Sequence, residues 1–258
     1  MNKFLKAGCA LLMAAAMVGC SSGSAPKEEN SDVKTLTIGI SPDYKPYESL
    51  NTDGEMEGFD IDMVALFEDY LKEEEGVEYK LEFKQMDFDN IITQIQGDQI
   101  DLGISGFTYS EDREVEWSDP YLGTSQVAIV PADSDIETLD DLKGKSLVAQ
   151  TGATGEEAAN GVEDAEVTGL KNVQDIMNAL SAHQYDAAIV DLGVGKNYVE
   201  NGEFKMLEGS LMDEKNYIIA KKGNTEVIEK INKCIEKFLA SDDYAKMCEK
   251  YSLSPLEE

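Results

Sequence analysis

Hydrophobic and polar positions along this chain switch between two periods, one of two residues and one of about 3.6. Leu36-Thr37-Ile38-Gly39-Ile40 is a short β-branched run that predicts a strand, closed by the turn-rich stretch Ser41-Pro42-Asp43-Tyr44-Lys45-Pro46-Tyr47. After Gly58-Phe59-Asp60, apolar side chains at Met63, Leu66, Phe67 and Tyr70 recur at helical spacing and predict a helix from Ile61 to Glu73. A strand over Leu81–Lys84, a helix over Asp89–Gln96 and a strand over Ile100–Ile104 follow. This βαβαβ order makes a parallel sheet with crossover helices, and ligands of such sheets sit beyond the carboxyl ends of the strands.

The pattern recurs at an offset of 85 residues: Ile91, Ile92, Ile95, Gln99, Asp101 and Ile104 fall on Ile176, Met177, Leu180, Gln184, Asp186 and Ile189. Each set reads as an amphipathic helix, a short turn and an apolar strand, so two α/β lobes of like construction are expected. The repeat pairs the strand end Ser105-Gly106 with Val190-Asp191, and facing strand ends make a cleft. Ser125–Val130 is extended, Asn216–Ala220 is a further strand, and helices over Thr225–Leu239 and Asp243–Lys250 close the chain. The first lobe is expected to comprise residues 34–123 plus 216–258 and the second residues 124–215, joined by two antiparallel strands that act as a hinge.

The N-terminus carries a different pattern. Lys3 and Lys6 flank the start of a small, apolar run, Ala7–Val18, which is too short to span a bilayer as a stable helix, and polar Ser21–Asn30 follows. Met17-Val18-Gly19-Cys20 looks like a bacterial lipobox, which implies a leader over residues 1–19, a lipid on the Cys20 thiol and a flexible tether over residues 20–33. Several acyl chains on one residue anchor firmly, at about 0.8 kcal/mol per buried CH₂. The expected setting is therefore the extracytoplasmic face of a membrane. There, Cys234 and Cys248 either form a disulfide or stay as two buried thiols.

Composition then narrows the partners. The 258 residues are 42% hydrophobic, ample for a packed core. Against 22 Lys and Arg stand 52 Asp and Glu, a net charge of −30 that repels phosphate backbones, so no nucleic-acid partner is expected. The single histidine, His183, has no cysteine cluster beside it, which leaves no zinc-type metal site and no expected cofactor.

Several motifs occur in order: Ser41 to Glu48, Gly58 to Asp62, Met86-Asp87-Phe88, Ile100 to Thr108, Arg113, Trp117 to Tyr121, Leu139 to Lys145, Gln150 to Gly155 and Tyr185 to Asp191. Over nearly all of Lys34 to Leu253 the chain resembles the extracellular solute-binding proteins of polar amino acid ABC transporters, with the periplasmic-binding-protein type II fold. The resemblance implies a monomeric, non-enzymatic receptor that closes on an L-amino acid and delivers it to a permease with its ATPase. It places Arg113 on the ligand carboxylate, which suits a guanidinium fork. Ser105, Gly106 and Thr108 supply backbone and hydroxyl contacts, and Tyr44 and Phe88 sandwich the ligand side chain. Ala153 and Thr154 lie in the loop Gly152–Gly155, after a strand over Ser146–Ala149 and before a helix start at Glu156, where free N–H groups attract an anion, and Asp191 receives the ammonium. Ser41 is expected to line the site, but it stands where relatives carry Asp, leaving Asp43, Glu48, Asp87 or Asp89 to supply a second anion. Two other readings stay open: an amino-acid sensor without transport, and a secreted enzyme of the cyclohexadienyl dehydratase kind.

Overall fold

In the computed structural model, which describes residues 33–256, the first apolar run becomes β1 (Lys34–Ile40), buried at its carboxyl end. The expected leader, Cys20 and all but the last residue of the tether lie outside the described residues. The turn-rich stretch after β1 folds into a small antiparallel sheet of β2 (Asp43–Tyr44), β3 (Glu48–Leu50) and β4 (Met56–Glu57). Gly58 then opens α1 (Phe59–Glu75), two residues before the periodicity places it. Its φ of 140° is one that L side chains rarely adopt, and a Cβ there would meet the Tyr47 carbonyl oxygen at 2.1 Å, so glycine is required.

β5 (Tyr79–Gln85), α2 (Phe88–Gln96) and β6 (Leu102–Gly103) complete the expected alternation, with β5 and β6 both parallel to β1. β7 (Val115–Trp117) precedes the long β8 (Leu122–Pro131). The second half supplies β9 (Ser146–Gln150), α3 (Thr154–Asn160), β10 (Glu166–Leu170), α4 (Val173–Ser181), β11 (Ala187–Asp191), α5 (Leu192–Val199), β12 (Phe204–Met206) and β13 (Met212–Asn216). β14 (Ile219–Lys221), α6 (Thr225–Leu239) and α7 (Asp242–Tyr251) follow. One lobe is built on the sheet β5-β1-β6-β14-β7, and the other on β10-β9-β11-β8-β12 with β13 added to β8.

Two departures from the sequence pattern have physical causes. The apolar run Asn216–Ala220 is not one strand, because Asn216 ends β13 in one sheet and Ile219 begins β14 in the other. Between them the Tyr217 N–H donates to the Phe107 carbonyl at 2.8 Å, so the chain is tied to the cleft floor as it crosses. Cys234 and Cys248, open to a bridge on sequence, are free thiols. Each sits on the buried face of its helix, Cys248 against the Tyr244 hydroxyl, and burial pushes the Cys234 thiol up to about 12. No helix among the described residues is long and apolar enough to cross a membrane.

The 85-residue repeat is also a repeat of hydrogen bonds. Asp101 accepts from the Thr37 N–H at 2.7 Å and returns its own N–H to the Thr37 carbonyl. Its counterpart Asp186 accepts from the Ser146 N–H at 2.8 Å and returns its N–H to the Ser146 carbonyl. Asp98 and His183, also at matched positions, both take positive φ in the turn between helix and strand.

The core of the first lobe centres on Phe59, fully buried between the rings of Tyr121, Phe238 and Tyr251 at centroid distances of 6.2, 6.0 and 6.0 Å. That ring cluster joins α1 to α6 and α7. Phe59→Ala should lower unfolding free energy by about 3–5 kcal/mol, read as an earlier midpoint in chemical denaturation.

Candidate functional site

The site is built where β6 and β9 end. Past β6, Ser105 and Thr108 are buried and Gly106 turns at φ 58°, a left-handed conformation, where a Cβ would meet the Tyr44 ring at 3.4 Å. Past β9, Ala153 precedes Thr154, the first residue of α3, without a side-chain cap. The lobes meet at the hydroxyls of Thr108 and Thr154, 2.6 Å apart.

Arg113 is the single arginine of the chain. Its guanidinium donates to the Thr108 carbonyl at 2.6 Å in one lobe and to the Gly152 carbonyl at 2.8 Å in the other. It also lies over the rings of Phe88 and Phe107, 5.8 and 5.4 Å from their centroids, and these rings stack on each other at 4.6 Å. Burial pulls its pKa down to about 10, against the attraction of Glu214 and Glu157, so it is charged at neutral pH. Among the described residues it forms no ion pair.

Tyr44, Phe88, Ser105, Gly106, Thr108, Arg113, Ala153 and Thr154 line one cavity, joined by Gln126 and Gln150. The space left is about 10 Å³, room for roughly one water. Anything larger enters only when the lobes part. Gln150 ends β9, so the strand-end rule could have found it, whereas Gln126 lies mid-strand in β8 with no motif to mark it.

Two expected residues are placed elsewhere. Ser41 is buried off the cavity, its hydroxyl donating to Asp43 at 2.8 Å and its N–H to the Ser105 hydroxyl at 3.1 Å. Asp191 lies behind the cavity, 1% exposed, as the N-cap of α5. Its carboxylate accepts from Tyr47 and Thr124 hydroxyls at 2.6 Å each and from the Gly193 N–H at 2.9 Å.

Behind the floor stand two more buried acids. Ser105 donates to Glu48 at 2.6 Å, while Asp60 accepts from the Tyr121 hydroxyl at 3.1 Å and from the Gly106 N–H at 3.4 Å. Glu48 Oε2 and Asp60 Oδ1 are buried without another partner. Burial is the main cause of upward shifts in all three acids: Glu48 is held well above the carboxylate range, Asp60 reaches about 7 and Asp191 about 6. Repulsion by Asp60 adds to the shift of Glu48.

The lobes are fastened at the mouth as well. Asp43 accepts from the Val173 N–H at the start of α4 at 2.8 Å, and Lys171 pairs with Asp87 at 3.3 Å and Asp89 at 3.1 Å. A wider depression of about 470 Å³ lies outside the cleft, but its lysines Lys45, Lys196 and Lys250 face an equal number of acids, Glu57, Asp62 and Glu200.

This two-lobed fold, with its cleft at facing strand ends, agrees with the family comparison. The chain belongs to the bacterial extracellular solute-binding proteins, family 3, whose model matches residues 36–254. It is 29% identical to the arginine-binding extracellular protein ArtP of Bacillus subtilis (strain 168), covering 97% of this chain and 98% of that one. The ABC transporter glutamine-binding protein GlnH of the same organism is 28% identical, over 93% and 92%. A crystal structure of the substrate binding protein of an amino acid ABC transporter superposes with a TM-score of 0.76 at 32% identity, over 84% of this chain and 98% of that chain.

The raised carboxyls have a stability consequence whose sign is definite. A carboxyl that holds its proton more tightly when folded stabilises the fold below the unfolded pKa, and that contribution is lost as pH rises through the folded values, here about 6 and 7. Thermal stability should therefore fall between about pH 5 and pH 8, and Asp60→Asn should fall less over the same range. An identical decline in both proteins would show that Asp60 does not titrate as described.

Proposed function

We propose that the protein captures a free amino acid between its lobes and hands it, chemically unchanged, to a membrane permease driven by an ATPase. The observation that carries this reading is Arg113: a lone, partly buried guanidinium without a carboxylate partner among the described residues, braced on two aromatic faces at the meeting of the lobes. Such a fork matches a ligand carboxylate bidentately. Ser105, Gly106, Thr108 and Thr154 offer polar contacts around it, and Tyr44 and Phe88 flank the side chain. A ligand held by both lobes binds the closed arrangement better than the open one, and that difference drives closure. The names of the relatives, arginine-binding and glutamine-binding, support an amino acid as the ligand.

Arg113→Ala should weaken binding by about 2–5 kcal/mol, the effect of leaving a buried charge unpartnered. Calorimetry with whichever amino acid most raises the melting temperature in a screen measures it, and unchanged affinity would remove Arg113 from the site. Arg113→Lys keeps the charge but not the fork and should recover only part of the loss.

The receptor reading includes a membrane anchor, a lipid on Cys20 at the end of the leader. Cys20→Ser should move the protein from the membrane to the soluble fraction of fractionated cells. Retention at the membrane would count against the lipid.

A further inference from the structure

The cavity wall at Ser105 and Gly106 is held from behind by two acids that do not line the cavity themselves. Ser105 takes the Ser41 N–H at 3.1 Å and donates its own hydrogen to Glu48 Oε1 at 2.6 Å. The Gly106 N–H donates to Asp60 Oδ2 at 3.4 Å, and the same oxygen accepts from the Tyr121 hydroxyl at 3.1 Å. Both acids are fully buried, and each keeps one oxygen, Glu48 Oε2 and Asp60 Oδ1, that no hydroxyl, amide or ammonium group reaches. The two carboxyls are instead hydrogen-bonded to each other. Carboxylate oxygens only accept, so such a bond forms only if one of the pair carries a proton.

The surroundings place that proton on Glu48. Asp60 already has two donors, from Gly106 and Tyr121, and a hydrogen from Glu48 makes a third, whereas Glu48 has only the Ser105 hydroxyl. Burial raises both acids, and on top of it the bond between them raises Glu48 and lowers Asp60. The titratable groups that face the pair are Asp43 of β2, Asp191 at the start of α5 and the phenols of Tyr44 and Tyr121, and among the described residues no cation pairs with either acid. Two bare carboxylates side by side in such a place would repel each other without compensation; one proton leaves a single charge with three donors.

We propose that one proton held between Glu48 and Asp60 is a working part of the binding site. It closes a ring, from the Ser105 hydroxyl to Glu48, from Glu48 to Asp60 and back to the Gly106 N–H, that fixes two adjacent residues of the cavity wall in the orientation the ligand meets. Glu48 and Asp60 are thus positioning residues, acting on the ligand through Ser105 and Gly106. The effect on affinity rests on the amino-acid reading of the cleft, whereas the ring and its proton do not.

The proton is read directly by infrared difference spectroscopy of the unmodified protein against Glu48→Gln, without ligand, at about pH 8, where ordinary carboxyls are ionised. The expected signal is the carbonyl stretch of a protonated carboxylic acid, shifted in heavy water and lost in the variant, and its absence overturns the inference whatever the protein binds. Affinity is then measured by calorimetry with L-arginine or L-glutamine, whichever the unmodified protein binds more tightly. Glu48→Met keeps the bulk but cuts the ring, and it should weaken binding at least about tenfold. Glu48→Gln and Asp60→Asn each keep a hydrogen between the two positions and should stay within about threefold of the unmodified protein. The double variant sets two amide N–H groups face to face once Ser105 and Gly106 have their acceptors, so it should lose about as much as Glu48→Met. Unchanged affinity in Glu48→Met would make the pair a core contact, and a loss of about tenfold or more in Glu48→Gln would show that a hydrogen at this place is not what matters; either result overturns the inference. Should Glu48→Met or the double variant fail to fold, the infrared band and the two conservative variants decide. Binding of neither amino acid would remove the amino-acid reading and leave the band to decide the proton.

Discussion

Everything in this structure that bears on a ligand depends on keeping one partly buried guanidinium charged and free of a carboxylate partner inside a strongly acidic protein. A free arginine among so many carboxylates would ordinarily find one, and a surface ion pair would gain little while spending the cation. The fold gives Arg113 two carbonyls, of Thr108 and Gly152, and two aromatic faces as its direct partners, with no carboxylate in ion-pair contact among the described residues. Carbonyls hold a guanidinium in place without neutralising it, and ring faces attract a cation while contributing no competing donor. Because one carbonyl belongs to each lobe, the charge sits where closure brings the lobes together.

The motif residues serve this arrangement from behind. Gly58-Phe59-Asp60 is a helix start in which the glycine clears the Tyr47 carbonyl, the phenylalanine anchors the core and the aspartate reaches the Gly106 N–H and the Tyr121 hydroxyl. Glu48 does the same for Ser105. Buried acids without cations are costly, and the cost is limited here by protonation and by hydroxyl donors from Ser105, Tyr47, Thr124 and Tyr121. In return the loop Ser105–Thr108 is held at several points, which gives the floor of the cleft a defined shape.

The two lobes are variants of one unit, down to the carboxylate that ties the start of one strand to the turn before the next, Asp101 in one and Asp186 in the other. The chain passes between the two sheets before β8 and again after β13, and these two strands pair antiparallel within the second sheet, with Thr124 opposite Glu214. Glu214 there accepts from the Thr154 hydroxyl and feels the charge of Arg113.

Local order was legible in the sequence because it depends on neighbours. The helix Thr225–Leu239 and the strand over Ser146–Ala149 follow from apolar spacing, the α/β alternation predicts sheets with ligands at strand ends, and the repeat predicts two like lobes. Arg113, Thr108 and Thr154 could be named because their motifs are contiguous. The division of labour among the acids could not be read, since Asp43, Glu48, Asp191 and Glu214 look alike as residue types. Their roles are assigned by partners far along the chain: Tyr47 is 144 residues from Asp191, and Thr154 is 60 from Glu214. Only folding brings those hydroxyls within bonding distance, so only the tertiary structure decides which carboxylate is tied down and which keeps an oxygen free. The same holds for Cys234 and Cys248, where the sequence supplies two thiols on adjacent helices and packing keeps them apart as core residues.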